Sequence, residues 1–315
     1  MPQLLDVSPR DGLQNEKREV ATADKLALIS ASLAMGFRRI EVTSFVNPRR
    51  VPQMADAEAV CAGLPEAGAA VGTGAGASYI GLVLNRRGAE RALATGRLHE
   101  LGAVAVAADA FAMANQGQPA AATVAEAEEI IAAARAGGLI GQVTIATAFG
   151  CPFSGEVAPD TVVAMAARLA AAQPAEIALA DTIGVAGPAE VAALCRAVRA
   201  EIGAIPLRVH FHNTRGTGLA NVWAAVEAGA ATIDVALGGI GGCPFAPGAA
   251  GNVAAEDVAY MLGRCGIDTG LNLGAMVDTS RWLGGVIGRQ LPGMVARAPA
   301  FPPPTGAGAP KGDEA

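Results

Sequence analysis

Leu4-Leu5-Asp6-Val7-Ser8-Pro9-Arg10-Asp11-Gly12 opens the chain with a short apolar run that ends on two charged residues. The run reads as a buried strand. In an open, doubly wound sheet the first strand would lead into a glycine-rich phosphate-binding turn, and Ser8-Pro9-Arg10-Asp11-Gly12 is not one. Further Val-, Ile- and Leu-rich runs recur outward from it at intervals of roughly 30 residues, each followed by an alanine-rich segment of helical character. Eight strands are expected, over 4–7, 39–43, 78–84, 103–107, 143–147, 176–180, 207–211 and 232–236. Helices between them are expected over 23–35, 125–136, 159–171, 188–201 and 219–228, several with Pro, Thr or Asp near the start. Eight parallel strands in about 270 residues fit an α/β fold of the (β/α)8 TIM-barrel type better than an open sheet.

Around the barrel, Gly72-Thr73-Gly74-Ala75-Gly76 reads as a flexible loop, because no helix opens directly behind it. A helical stretch over 273–288 is expected to pack under or beside the barrel. Residues 1–297 form the expected catalytic domain, and 298–315, mostly Pro, Gly and Ala with a charged end, read as a disordered tail.

The net charge of -6 is modest and spread out, so neither a nucleic-acid stripe nor a polybasic membrane patch is present and a small-molecule ligand is expected. The longest apolar stretches are too short or too glycine-rich to span a bilayer. Cys61, Cys151, Cys195, Cys243 and Cys265 are odd in number and lack paired spacing; with no signal peptide they point to a reducing cytoplasm.

In a TIM barrel the chemistry sits at the C-terminal ends of the strands. There the sequence places Arg10 and Asp11 after the first strand, Glu41 in the second, Asp181 and Thr182 after the sixth, and His210-Phe211-His212 on the seventh. Charges facing one barrel mouth are costly unless they bind a metal or a charged ligand. Two of the chain's three histidines lie two residues apart on one strand, which aims both imidazoles to one side. With Asp11 they suit a divalent metal such as Mg²⁺ or Mn²⁺, with positions left for substrate oxygens. Zinc is the second choice, since Cys243 is the one plausible thiol nearby. Gly238-Gly239-Ile240-Gly241-Gly242-Cys243-Pro244 reads as a mobile lid that brings Cys243 toward the barrel.

Several blocks then match one family. Asp6-Val7-Ser8-Pro9-Arg10-Asp11-Gly12-Leu13-Gln14-Asn15-Glu16-Lys17 resembles the opening signature of the 3-hydroxy-3-methylglutaryl-CoA lyases. So do Glu41-Val42-Thr43-Ser44-Phe45-Val46, Gly150-Cys151-Pro152-Phe153, Ala180-Asp181-Thr182-Ile183-Gly184-Val185, and the block from His210 through Gly242-Cys243-Pro244-Phe245 to Gly251-Asn252-Val253. The resemblance implies metal ligation by Asp11, His210, His212 and Asn252, and a retro-aldol (retro-Claisen) cleavage of a 3-hydroxyacyl-CoA to acetyl-CoA and a keto acid. Arg10 would bind the thioester oxygen, Cys243 would protonate the enolate carbon, Asp11 or His210 would handle the hydroxyl proton, and Glu41 would hold the network. Asp181 joins the expected catalytic set, and Arg10, Gln14, Lys17, Thr182, Ala108 and Ala178 the expected substrate contacts. An acyl-CoA substrate and a homodimer follow from the same resemblance.

Two departures bear on specificity. The family commonly has Ser-Glu before the Phe after the fourth strand, where this chain has Ala108-Asp109-Ala110-Phe111, and Ser where it has Ala178. Loss of two hydroxyls from the expected acyl pocket points to a different or bulkier C3 substituent, such as another 3-alkylglutaryl-CoA, or to citramalyl-CoA. Asn213, where Asp is frequent, is expected near His212. A Claisen-type acyltransferase on the same scaffold and a non-catalytic CoA-ligand binder are the alternatives.

Overall fold

The computed structural model describes residues 1–66, 76–242, 251–299 and 301. Eight parallel strands close into a barrel in sequence order: β1 (Gln3–Asp6), β2 (Arg39–Ser44), β3 (Ser78–Leu82), β4 (Glu100–Val106), β5 (Ile140–Ala146), β6 (Ile177–Asp181), β7 (Leu207–Phe211) and β8 (Thr232–Val235). β8 pairs back onto β1, with Gln3 opposite Thr232 and Asp6 opposite Val235. The described helices are α1 (Thr22–Met35), α2 (Ala57–Gly63), α3 (Arg86–Ala94), α4 (Asp109–Gln116), α5 (Ala120–Ala136), α6 (Pro159–Ala171), α7 (Pro188–Ile202), α8 (Gly218–Glu227), α9 (Ala255–Arg264) and α10 (Leu273–Ile287).

The strands and the longer helices fall where the sequence puts them, and α6 matches its expected bounds. α2, α3, α4 and α9 escape the apolar pattern. α3, for instance, carries three arginines in nine residues, and its start is set by Asn85, whose side chain accepts from Gly88 N at 2.9 Å. α10 packs beside the barrel against α1 and α9. The expected loop at Gly72–Gly76 lies, except for Gly76, outside the described residues, as does the tail beyond 301.

Strand alternation divides β7 cleanly. Leu207, Val209 and Phe211 belong to the apolar layer between sheet and helices, whereas Arg208, His210 and His212 turn into the barrel. The outer layer is filled by residues such as Leu28 and Ile29 of α1 and Ile145 of β5, all fully buried, each contributing about 1.5–3 kcal/mol. The inner layers are polar. Arg39 of β2 pairs with Glu100 of β4 at 2.8 Å and with Glu176 at 3.2 Å, and Gln142 of β5 donates to Glu100 at 2.8 Å. Every charge at the barrel bottom thus has a partner of opposite sign, which is what its burial requires.

Among the described residues no helix is long and apolar enough to cross a membrane, and Cys61, Cys151, Cys195 and Cys265 are free thiols.

Candidate metal and active centre

β1 ends in a single wide helical turn, Ser8–Gly12, which carries Arg10 and Asp11 over the barrel mouth. Asp6, fully buried, holds that turn by accepting from Ser8 N at 2.8 Å, from the Ser8 hydroxyl, and from Ser32 Oγ of α1 at 2.6 Å. Ser8 Oγ in turn accepts from Leu237 N at 2.7 Å, locking the turn to the chain after β8.

On this support Asp11, His210 and His212 converge: one ligand atom from each lies within 4.8 Å of the others. Nε2 of His210 and of His212 stand 3.9 and 3.8 Å from Asp11 Oδ2. Asn252 is bridged to His212 through the backbone, and its Nδ2 donates to Asp11 Oδ2 at 2.8 Å. Both ring nitrogens of His212 and Oδ1 of Asn252 are buried without a hydrogen-bond partner. Three orphaned atoms beside one carboxylate make a donor set of N and O ligands that fits a divalent cation. Gly241, at φ +116°, passes so close that a Cβ there would sit 2.6 Å from Asn252 Nδ2, so glycine is needed for backbone conformation and space alike.

Beside the cluster, Arg10 is held from two sides. Its Nε donates to Glu41 Oε2 at 2.6 Å, its Nη2 stands at the same distance from that oxygen, and its Nη1 donates to Asp11 Oδ1 at 2.7 Å. Burial pushes the Asp11 carboxyl up, but Arg10 and the two histidines outweigh it and hold the group well below the usual carboxylate range. Burial raises Glu41, and the Arg10 charge offsets this only in part. For His210, burial works against the charged ring, yet Asp234 and Asp11 raise its pKa.

Asp234 and Arg208 are the residues that reading the sequence missed. Asp234 Oδ2 lies 3.2 Å from His210 Nδ1, and Arg208 Nη1 lies 3.2 and 3.3 Å from the Asp234 oxygens. The signal was present in strand parity: Asp234 is opposite His210 in the β7–β8 register and faces the same interior.

These groups border a cavity of about 160 Å³ formed by Arg10, Asp11, Glu41, His210, His212, Asp234 and Arg208, with apolar walls from Val104, Ala146, Ala180 and Phe111. Gln14 and Thr182 line it as expected. Lys17 is exposed and stays outside it. Ala108 and Ala178, expected in the acyl pocket, do not line it. Ala108 precedes α4 and packs with Val106, Phe111 and Ala146, while Ala178 is fully buried one layer below Ala180, opposite Arg208. Asp181 is also displaced from the expected role, because Ala180 and Thr182 take the inward face. Its carboxylate accepts from Val185 N and Ala186 N, both at 3.0 Å, and shapes the loop after β6; burial raises its pKa, and those two amides offset part of the rise. Asn213 turns its Oδ1 to Gly218 N at 3.0 Å, at the start of α8. Cys243 lies outside the described residues; up to that point the glycine loop is tied down by Asn15, whose Nδ2 donates to Gly242 O at 2.8 Å.

The HMGL-like family model matches residues 1–283. The (R)-citramalyl-CoA lyase of Chloroflexus aurantiacus is 44% identical over 95% of this chain and 95% of its own. The 3-hydroxy-3-isohexenylglutaryl-CoA/hydroxymethylglutaryl-CoA lyase of Pseudomonas aeruginosa is 38% identical over 94% of this chain and 96% of its own. Among solved structures, an HMG-CoA lyase from Acinetobacter baumannii in complex with coenzyme A and 3-methylmalate superposes with a TM-score of 0.89 at 38% identity, covering 98% of this chain and 97% of that one. A barrel-mouth cluster in family order, a family model over most of the chain and relatives matched nearly end to end agree: the chain belongs to the HMGL-like family, that of the hydroxymethylglutaryl-CoA lyases, and is a carbon–carbon lyase.

Proposed function

We propose that this lyase is divalent-metal-dependent and cleaves the C2–C3 bond of a short 3-hydroxy-3-methyl acyl-CoA with a distal carboxylate, citramalyl-CoA first, to acetyl-CoA and a 2-keto acid. The observation that carries the reading is the convergence of Asp11, His210, His212 and the orphaned Asn252 Oδ1 beside the Arg10 guanidinium. The choice of acyl group is supported by the small cavity, walled by Val104, Ala146, Ala180 and Phe111, and by the 44% identity to a citramalyl-CoA lyase. That a structural relative holds coenzyme A with 3-methylmalate, another short dicarboxylic hydroxy acid, points the same way. 3-Hydroxy-3-methylglutaryl-CoA is the second reading, favoured by the lyases of 38% identity.

Asp11, His210, His212 and Asn252 would hold Mg²⁺ or Mn²⁺; when bound, such an ion supplies Lewis acidity at the C3 oxygen. Asp11 or His210 takes the C3 hydroxyl proton as the C2–C3 bond breaks. The C3 oxygen becomes the carbonyl of the keto acid, and the bond pair passes to C2 and the thioester oxygen as an enolate. Arg10, pre-set by Glu41 and Asp11, stabilises that oxygen without having to reorganise. Cys243 returns a proton to C2, giving acetyl-CoA.

The test is a thioester-cleavage assay with Mg²⁺ or Mn²⁺ on citramalyl-CoA, 3-hydroxy-3-methylglutaryl-CoA and a longer 3-alkyl analogue, with His212→Ala and Cys243→Ala as controls. Citramalyl-CoA should give the highest kcat/KM and the longer analogue the lowest. Preference for the longer analogue overturns the acyl assignment; turnover unaffected by both substitutions overturns the mechanism.

A further inference from the structure

Beneath the metal cluster the barrel interior carries a continuous file of charged side chains. Arg208 sits on β7 two residues below His210, with its side chain 5% exposed. Its Nη1 lies 3.2 and 3.3 Å from Asp234 Oδ1 and Oδ2, its Nη2 donates to Thr144 Oγ1 at 2.9 Å, and its Nε lies 3.2 Å from Glu176 Oε2. Although Arg208 borders the cavity floor, its donor edges are turned to protein groups, which leaves it poorly placed to grip a substrate carboxylate. What it does grip is Asp234, and Asp234 Oδ2 lies 3.2 Å from His210 Nδ1.

We infer that Arg208 is a positioning residue for the metal centre: it clamps the Asp234 carboxylate against His210 Nδ1, and so fixes the ring rotation and tautomer that present His210 Nε2 to the cation. The inference deepens the proposed function and rests on its metal site. The two histidines differ in this respect. His212 has no hydrogen-bond partner on either nitrogen, so among the described residues the only side chain that orients an imidazole of this pair from behind is Asp234. A carboxylate with a single tether can rotate about its χ angles, whereas a guanidinium that meets both oxygens holds its plane. Arg208 supplies that second hold, and Thr144 and Glu176 keep Arg208 itself from turning. The precision of the cation site therefore depends on a residue that touches neither cation nor substrate.

The experiment is Mn²⁺ titration of the full-length, metal-stripped protein, followed by electron paramagnetic resonance with no substrate present. Arg208→Met and Asp234→Asn should each weaken Mn²⁺ binding by about 10–100-fold, and the double variant should bind no more weakly than the poorer single one, because both act on one contact. Arg39→Met is the control for general damage, since it breaks the same buried network at Glu100 and Glu176 without touching Asp234. It should bind Mn²⁺ within about twofold of the wild type. If Arg208→Met does not fold, Arg208→Lys carries the test: it keeps the charge but loses the two-pronged grip, and should still weaken Mn²⁺ by about threefold or more. With three histidines in the chain, nitrogen-15 spectra of the Mg²⁺-loaded protein also read the His210 tautomer directly, which should be lost in Arg208→Met. Wild-type affinity in the Arg208 variants, or equal weakening in Arg39→Met, overturns the inference alone. A wild-type protein that binds no Mn²⁺ overturns the metal reading, and this inference with it.

Discussion

Asn252 Nδ2 donates to Asp11 Oδ2 at 2.8 Å, across 241 positions of sequence. The same amide nitrogen also donates to Ile240 O at 3.0 Å, so it is fully engaged and its Oδ1 is left buried without a donor. One side chain thus joins the first βα loop to the chain that follows β8 and offers an oxygen to the site between them.

Asn252→Ala should remove that oxygen and free Asp11 from its second partner. Mn²⁺ binding is expected to weaken by about tenfold or more. Because a ligand that binds only the folded state raises its melting temperature, Mn²⁺ should raise the variant's Tm less than the wild type's. Differential scanning fluorimetry with chelator and with Mn²⁺ measures both; equal metal-induced shifts would count against Asn252 as a ligand.

Arg10→Lys keeps one positive charge but not the planar fork that meets Glu41 and Asp11 together. Its expected effect is on the enolate-forming step, a fall in kcat of about 10²–10³-fold with KM changed much less. Steady-state kinetics on the preferred thioester decide this. A rise in KM with kcat unchanged would assign Arg10 to ground-state binding instead.

Arg39→Met leaves Glu100 and Glu176 short of their shared cation at the barrel bottom. Breaking a buried pair from one side costs about 3–5 kcal/mol. Urea unfolding should show the loss directly, and a variant as stable as the wild type would mean that Arg208 alone suffices to balance the two carboxylates.

Glu256, at the start of α9, is pushed up by burial to about 7; its Oε2 accepts from Gly238 N at 3.0 Å and its Oε1 has no partner. Its ordinary value is 4.5. Below that value both folded and unfolded chains hold the proton. Between 4.5 and about 7 the folded chain holds it more tightly, so stability falls as pH rises. Above about 7 the full cost, on the order of 3 kcal/mol, is present. Glu256→Gln should therefore gain on the wild type between pH 5 and pH 8 in chemical denaturation. A stability difference that is flat with pH would refute the assignment.

Much of this protein was legible in one dimension. The repeat of strand-like runs and alanine-rich helices determined a closed parallel barrel, because a sheet covered on both faces needs that alternation. The His210-Phe211-His212 spacing determined that both imidazoles share a face, since side chains on a strand alternate. The short Arg/Ala-rich helix α3 was hidden, because its boundaries come from a cap and tertiary packing more than from an apolar stripe.

Only the tertiary structure decided which polar residues enter the site. Asp181 and Ala178 lie within a few residues of Thr182, yet one shapes a loop and the other fills a layer below the cavity, because strand parity and depth along the barrel assign each position separately. Asp234 and Arg208 looked like ordinary strand residues until closure of the barrel set Asp234 opposite His210 and set Arg208 against Thr144 and Glu176. Local pattern reports which face of a strand a residue occupies; what it meets there depends on strands up to hundreds of residues away, and that is fixed only when β8 pairs with β1.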